Sequence, residues 1–290
     1  MTAEVCSTAS LEAGEPTAGS APAGVAWVCL EQPGAWGAKA FTSSGLDPAI
    51  GRAFEDAATA AGVRPQLIRS PGRHPDSGVG RRHVLIAFTR PGSSWLLEGQ
   101  IEDPKRILDL DLDAVAAGER PDWPELSPVS SPVLLVCTNG RRDVCCATLG
   151  RSVAEHVAGT HPGRVWEANH LSGHRFAATA ALLPSGHVYG RVLDGSILLE
   201  AADRGQLMGP GWRGRSTWTS AAQVAESVIR EQQGIWDLDA VVVRPEGSDW
   251  AVTAGDQSWL VTVTESTEGL APPSCGKDPE PVRRFSAVVQ

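Results

Sequence analysis

The sequence is poor in lysine, in cysteine and in long apolar stretches, and each shortage excludes a class of protein. No segment approaches the ~18–20 consecutive apolar residues of a membrane-spanning helix. No basic segment followed by an apolar stretch opens the chain, so we expect no secretory signal and a cytoplasmic protein. Six cysteines in 290 residues are too few for a disulfide-stabilised scaffold. We therefore expect reduced thiols that serve in metal binding or in catalysis.

The chain is acidic overall, and arginine supplies almost all of its positive charge. Lysine occurs only at Lys39, Lys105 and Lys277, and the net charge of −9 argues against general nucleic-acid binding. The charge is uneven, because residues 137–231 hold ten arginines against eight acidic residues. This segment is therefore mildly positive, while the rest of the chain carries the acidic charge. From the net charge and the lack of long apolar stretches, we expect neither a nucleic-acid nor a membrane partner.

Signatures of common catalytic sites are missing as well. The chain has no Gly-x-Ser-x-Gly nucleophile elbow, no Walker-type phosphate loop and no dinucleotide fingerprint with its acidic partner. No pair of carboxylates stands out as the acid and base of a glycosidase. The sequence assigns no catalytic residues and favours a carrier over a catalyst.

Four residues have the types and the spacing of a metal site: Cys137, Cys146, His170 and His174. Two thiolates and two imidazoles within 38 residues can close around one metal centre. Eight residues separate the cysteines, whereas those of a zinc finger lie about two to four residues apart. The longer loop suits an iron–sulfur cluster, in which histidine can replace cysteine on one iron.

The local sequence places the cysteines at the ends of secondary-structure elements. Cys137 ends an apolar strand and precedes the turn sequence Thr-Asn-Gly, so it lies where ligands gather in α/β folds. Cys145 and Cys146 come directly before a predicted helix, whose N–H groups stabilise thiolate. Chemistry alone does not decide which of these neighbours is a ligand, and a redox pair of the two is a further alternative.

The segments around the other candidate residues allow fewer conclusions. Ser172 and Gly173 lie between the two histidines, so we expect a loop or a first helical turn there. Cys6 and Cys29 are interpreted as small buried hydrophobic residues. Cys275 has no assigned role.

Segments 137–147 and 169–177, which contain the four residues, resemble the sucrase/ferredoxin-like family. The resemblance covers about residues 25–231 and includes the segments 31–37 and 211–216. It implies a thioredoxin-like 2Fe–2S ferredoxin domain of the bis-histidinyl branch. It also implies that the cluster ligands are Cys137, Cys146, His170 and His174, so that Cys146 and not Cys145 binds the cluster.

The order of predicted elements indicates a mixed α/β (α+β) fold. Each half of the chain shows strand, helix, strand and strand, which suggests two thioredoxin-like units. Proline-rich and apolar-poor stretches divide the chain further. We expect a disordered tail (1–24), an N-terminal thioredoxin-like half (25–120), a linker (121–132), the thioredoxin-like cluster domain (133–231) and a small α+β extension (232–290).

Three functions fit these observations. The first is an electron-transfer protein with one 2Fe–2S cluster, served by an unidentified redox protein or reductase, and with electron uptake coupled to protons. The second is a structural zinc module with the same four ligands. The third is a cluster-free thiol oxidoreductase that uses Cys145 or Cys146 and needs a resolving cysteine nearby.

Overall fold

The structure is a computed structural model that describes residues 5–72 and 80–290. The strands of the larger sheet are β1 (Ala26–Glu31), β2 (Val63–Arg69), β3 (Arg82–Phe88), β4 (Trp95–Ile101), β5 (Leu126–Pro128), β6 (Val133–Cys137), β7 (Val165–Ala168), β8 (Ala180–Leu183), β9 (His187–Tyr189) and β10 (Trp212–Arg215). The smaller sheet contains β11 (Val241–Glu246), β12 (Asp249–Ala254), β13 (Gln257–Ala271) and β14 (Glu280–Val289). The helices are α1 (Cys6–Glu12), α2 (Pro48–Ala60), α3 (Leu112–Ala117), α4 (Arg151–Thr160), α5 (Ser196–Asp203) and α6 (Ser220–Gln233).

The ten-stranded sheet repeats one topology. Its order is β10-β9-β8-β6-β7-β2-β1-β3-β4-β5. In the first half β1 runs parallel to β2 and antiparallel to β3, which pairs with β4. In the second half β6 runs parallel to β7 and antiparallel to β8, which pairs with β9. The two thioredoxin-like units are confirmed as a repeat, and the antiparallel β2–β7 pair joins them into one sheet.

The repeat shows which residues of the two halves are equivalent. Ile68 and Ala168 face each other across the β2–β7 pair. Glu31 is the β1 partner of Ile68, and Cys137 is the β6 partner of Ala168. The first half therefore carries a carboxylate where the second half carries a thiol, at the end of the same strand.

The strands have buried side chains on both faces, as in sheets that are covered on two sides. On β1, Val28 and Leu30 pack with Phe54 of α2 in one core. On β6, Leu134 and Val136 pack with Val157 of α4 in another. The alternate residues of both strands, among them Cys29 on β1 and Leu135 and Cys137 on β6, point to the other face of the sheet and pack in a third core. The end of β6 that carries Cys137 therefore lies in the apolar interior.

Helix α6 covers the smaller sheet. Its residues Ala225 and Ile229 pack on Val241, Val252 and their neighbours in a separate core. The predicted extension (232–290) forms the four-stranded sheet, and the helix that covers it, α6, begins in the preceding segment. After Ala271 the chain turns back, and β14 pairs with β13. Among residues 5–72 and 80–290, no helix combines the length and apolar character needed to cross a membrane.

The predicted disordered tail is wrong for residues 5–24, while residues 1–4 lie outside the described chain. Helix α1 is followed by Glu15, whose carboxylate accepts hydrogen bonds from Ser10 (2.8 Å) and Arg175 (2.5 Å). The backbone oxygen of Glu15 accepts from Arg191 at 2.8 Å. The segment is poor in apolar side chains, and these distant arginines order it instead.

The predicted linker also contains structure, because β5 pairs with β4 at the edge of the sheet. Proline is tolerated on an edge strand, where one side of the backbone has no partner strand. The division of the chain into separate domains remains a prediction.

Candidate metal-binding site

The two predicted ligand cysteines lie together. Cys137 is the last residue of β6, and Cys146 begins a π-helical turn (Cys146–Gly150) that leads into α4. Both are buried. A side chain at Gly150 would overlap the backbone oxygen of Cys137, so only glycine lets this turn approach the strand end. The turn therefore holds the two thiols in contact.

The protonation of the two thiols is coupled. A hydrogen bond with the Cys146 thiol lowers the pKa of Cys137 well below its ordinary value, and contact with His170 lowers it further. The same hydrogen bond, together with burial, raises the pKa of Cys146. Cys137 therefore loses its proton more readily than Cys146, and both thiols must be deprotonated when they bind a metal.

Asn139 shapes the loop between the two cysteines. Its backbone oxygen accepts from the N–H groups of Arg142 (3.1 Å) and Asp143 (3.2 Å). Its side-chain amide donates to the backbone oxygen of Gly37 at 3.0 Å, in the first half of the molecule. These bonds form the tight turn that brings residues 143–146 back to the end of β6.

The two histidines follow β7 in a loop, as predicted. Leu171 is fully buried in the core that contains Cys137 and Cys146, which fixes the loop between the histidines. Gly173 has a φ of +64°, and His174 opens a short 3-10 turn (His174–Phe176). The imidazole ring centroids are 5.5 Å apart.

Each imidazole has a buried ring nitrogen that is available for metal binding. Among the described residues, Nδ1 of His170 and Nδ1 of His174 are buried and have no hydrogen-bond partner. Nε2 of His174 lies 3.8 Å from Oδ2 of Asp143. Burial lowers the pKa of His174, and the nearby Asp143 carboxylate only partly offsets this. His174 is therefore neutral at neutral pH, as metal binding requires.

A buried arginine holds the histidine loop in place. Arg213 donates to the backbone oxygen of Ser172 at 3.0 Å and to the side chain of Ser20 at 3.0 Å. Burial, together with the nearby charges of Arg175 and Arg64, lowers the pKa of Arg213 to about 9, and the charges of Cys137 and Cys146 partly oppose the shift. Arg213 thus fixes the backbone of the histidine loop and interacts electrostatically with the two thiols.

We expect Gly173→Ala to destabilise the protein and to reduce its metal content. A non-glycine residue at this positive φ costs about 1–3 kcal/mol, and the new methyl group would overlap the Arg213 guanidinium. Gly255→Ala is the matched control, because Gly255 has a φ of +56° and open space around it. Thermal unfolding and metal analysis should show a small loss of stability in both variants and a loss of metal only in Gly173→Ala. Equal effects would contradict this role of the loop.

Cys145 belongs to a second group of side chains. Its sulfur lies 3.2 Å from Sγ of Cys275 and 3.5 Å from Sγ of Cys6. Together with Asp143, these three thiols offer ligand atoms that all lie within 4.8 Å of one another, an arrangement that can hold a metal ion. The structure therefore separates Cys145 from Cys146 and places them in adjacent but different clusters.

Sequence reasoning missed three members of this region. Cys6 is buried as expected, but it contacts two other thiols as well as an apolar neighbour, Ala177. Cys275 lies in the turn between β13 and β14, so the C-terminal extension reaches the predicted cluster site. Asp143 lies inside segment 137–147, which shows the family resemblance. Its position two residues before Cys145 was the feature of the sequence that could have indicated a ligand.

The fold and this site define a thioredoxin-like α+β protein with a cysteine-rich potential metal site. The sequence model of the sucrase/ferredoxin-like family matches residues 19–214. The chain belongs to the sucrase/ferredoxin-like family, which confirms the resemblance. Comparison with curated proteins and with solved structures gives no match.

Proposed function

We propose that the protein transfers electrons through one 2Fe–2S cluster held by Cys137, Cys146, His170 and His174. The observation that carries the proposal is the pair of buried Nδ1 atoms on the two histidines, which have no partner among the described residues. A buried polar atom without a hydrogen bond costs about 1–3 kcal/mol. Ligation of iron by both atoms would remove this cost.

The donor set fits such a cluster. Two thiolates and two neutral imidazoles are the ligands of mixed cysteine–histidine 2Fe–2S centres. Because the ligands come as two sequence-local pairs, we assign the cysteines to one iron and the histidines to the other. When bound, the cluster supplies a one-electron acceptor. Two thiolates balance its charge, whereas four would leave it negative, so we expect a higher reduction potential than that of an all-cysteine ferredoxin.

Protein groups around the ligands set their orientation and charge. Ligating histidines commonly direct the second ring nitrogen toward a carboxylate, which fixes the tautomer. Asp143 lies at such a position beside Nε2 of His174. Arg213 fixes the backbone of the histidine loop and adds positive charge, which favours electron uptake.

We propose that the redox partner docks on the loop that carries Cys146. Arg141 and Arg142 are exposed in this loop. Val144 and Leu149, which flank Cys145 and Cys146, are 52% and 41% exposed. Exposed apolar residues with adjacent positive charge suit an acidic redox protein or reductase, because complementary charge steers encounter.

Iron content and colour test the proposal directly. We expect protein that is expressed with sufficient iron and purified without oxygen to be brown and to carry about two iron atoms per chain. Zinc has a filled d shell and gives no visible absorption, so zinc in these four ligands would leave the protein colourless. Colourless, iron-free protein from such a preparation would contradict the proposal.

A further inference from the structure

The second cysteine group is distinct from the four proposed cluster ligands but borders them, since Cys145 precedes Cys146 and Asp143 lies 3.8 Å from Nε2 of His174. Cys6 begins α1, Cys145 precedes the π-helical turn, and Cys275 lies between β13 and β14. Cys6 and Cys145 are buried, and Cys275 is half-buried. The three side chains come from the two ends of the chain and from its middle, with sequence separations of 139 and 130 residues.

The distances within this group are those of ligands around one small ion. The three sulfur–sulfur distances are 3.5 Å (Cys6–Cys145), 3.2 Å (Cys145–Cys275) and 3.5 Å (Cys275–Cys6). Sγ of Cys6 lies 3.7 Å from Oδ1 and 3.6 Å from Oδ2 of Asp143. A tetrahedral ion with metal–sulfur bonds of about 2.3 Å separates its ligand atoms by roughly 3.8 Å. The four side chains need to move outward by only a few tenths of an ångström.

Asp143 is held as a carboxylate toward the thiols. Its oxygens accept hydrogen bonds from the N–H groups of Cys275 and Cys145 and from the Ser274 hydroxyl. The two N–H bonds and the hydroxyl bond are each 2.9 Å long. An N–H group also approaches sulfur, since that of Cys6 lies 3.4 Å from Sγ of Cys275. Such bonds stabilise negative sulfur.

Without a cation the group is poorly balanced. Three thiols pack against one another and against the Asp143 carboxylate, with Ala177 as an apolar neighbour. A bound divalent cation removes the thiol protons and neutralises part of the charge.

We propose that Cys6, Cys145, Cys275 and Asp143 bind one structural zinc ion. Three thiolates and one carboxylate are ligands that Zn²⁺ accepts, and a closed set of four protein ligands is the mark of a structural rather than a catalytic site. A disulfide would use two of the thiols and leave the third and the carboxylate without a role. The ion would tie both ends of the chain to the loop that carries Cys146, and such long closures contribute most to stability.

Metal analysis of the intact, iron-loaded protein tests this inference, because zinc and iron are counted independently. We expect about one zinc ion per chain in addition to the iron. The zinc K-edge spectrum should show three sulfur ligands at about 2.3 Å and one oxygen at about 2.0 Å. Cys6→Ser and Cys275→Ser should each lose the zinc, keep the iron and lower the melting temperature.

Cys29→Ala is the matched control, because Cys29 is a fully buried cysteine outside the group and should keep both metals when replaced. Chelation of zinc from the wild type should expose residues 5–24 to limited proteolysis while the brown colour remains. Protein purified with sufficient zinc that contains none would overturn the inference. So would nitrogen ligands in the zinc spectrum, or a Cys145–Cys275 disulfide in peptides mapped without reduction.

Discussion

Cys146→Ser is expected to remove the iron from the protein, whereas Cys145→Ser is expected to leave most of the iron in place. The two cysteines are adjacent in sequence, but Cys146 contacts Cys137 and Cys145 contacts Cys6 and Cys275. Cys137→Ser should match Cys146→Ser, since each removes a thiolate from the same proposed iron. Iron analysis and the visible spectrum of the purified variants measure the effect.

Zinc analysis of the same variants gives the reverse pattern and serves as an internal control. Cys146→Ser should keep the zinc, and Cys145→Ser should lose it. Loss of both metals from one variant would indicate that the variant is misfolded, not that the replaced cysteine binds both metals. Iron that survives in Cys146→Ser and disappears in Cys145→Ser would show that the assignment of the neighbouring cysteines is reversed.

The midpoint potential of the iron-loaded protein is expected to fall by about 59 mV per pH unit once the oxidised protein begins to lose a histidine ring proton. Reduction adds negative charge at the site, and negative charge holds a nearby proton more tightly. Electron uptake is therefore coupled to proton uptake above that pH. Potentiometric titration at a series of pH values measures the slope.

His174→Cys should lower the potential and remove one of two proton steps, because a thiolate replaces a neutral ring that carries a proton. His156→Gln is the control, since His156 is exposed on α4 and its loss should not change the potential. A potential that stays flat from mildly acid to strongly alkaline pH, in protein that keeps its iron, would count decisively against histidine ligation.

Local sequence patterns predicted the elements that position the proposed cluster ligands. The apolar run 133–136 is bounded by prolines and by a turn, and β6 occupies it and ends at Cys137. Strand β7 (Val165–Ala168) is likewise a short run of buried residues. Such runs are predictable because strand burial and turn residues are properties of a few neighbouring positions.

The contacts of the chain ends were not predictable in the same way. Glu15 is ordered by Arg175 and Arg191, and Cys6 meets Cys145 across 139 residues. Nothing near Glu15 or Cys6 in sequence indicates these partners, because the segment has few apolar residues and no periodicity. Only the folded chain brings the charges and thiols together.

The β2–β7 pair makes the first half of the chain a protecting partner for the second. The N–H of Asn169 donates to the backbone oxygen of Leu67 (3.0 Å), and the Asn169 side chain accepts from the N–H of Leu67 (3.2 Å). The residue before His170 is thus held by a strand from the half that has Glu31 at the position equivalent to Cys137. A fragment of residues 133–231 would present β7 as an unpaired sheet edge, and unpaired edges pair with other chains. We therefore expect the first half of the chain to limit aggregation of the half that carries the proposed ligands.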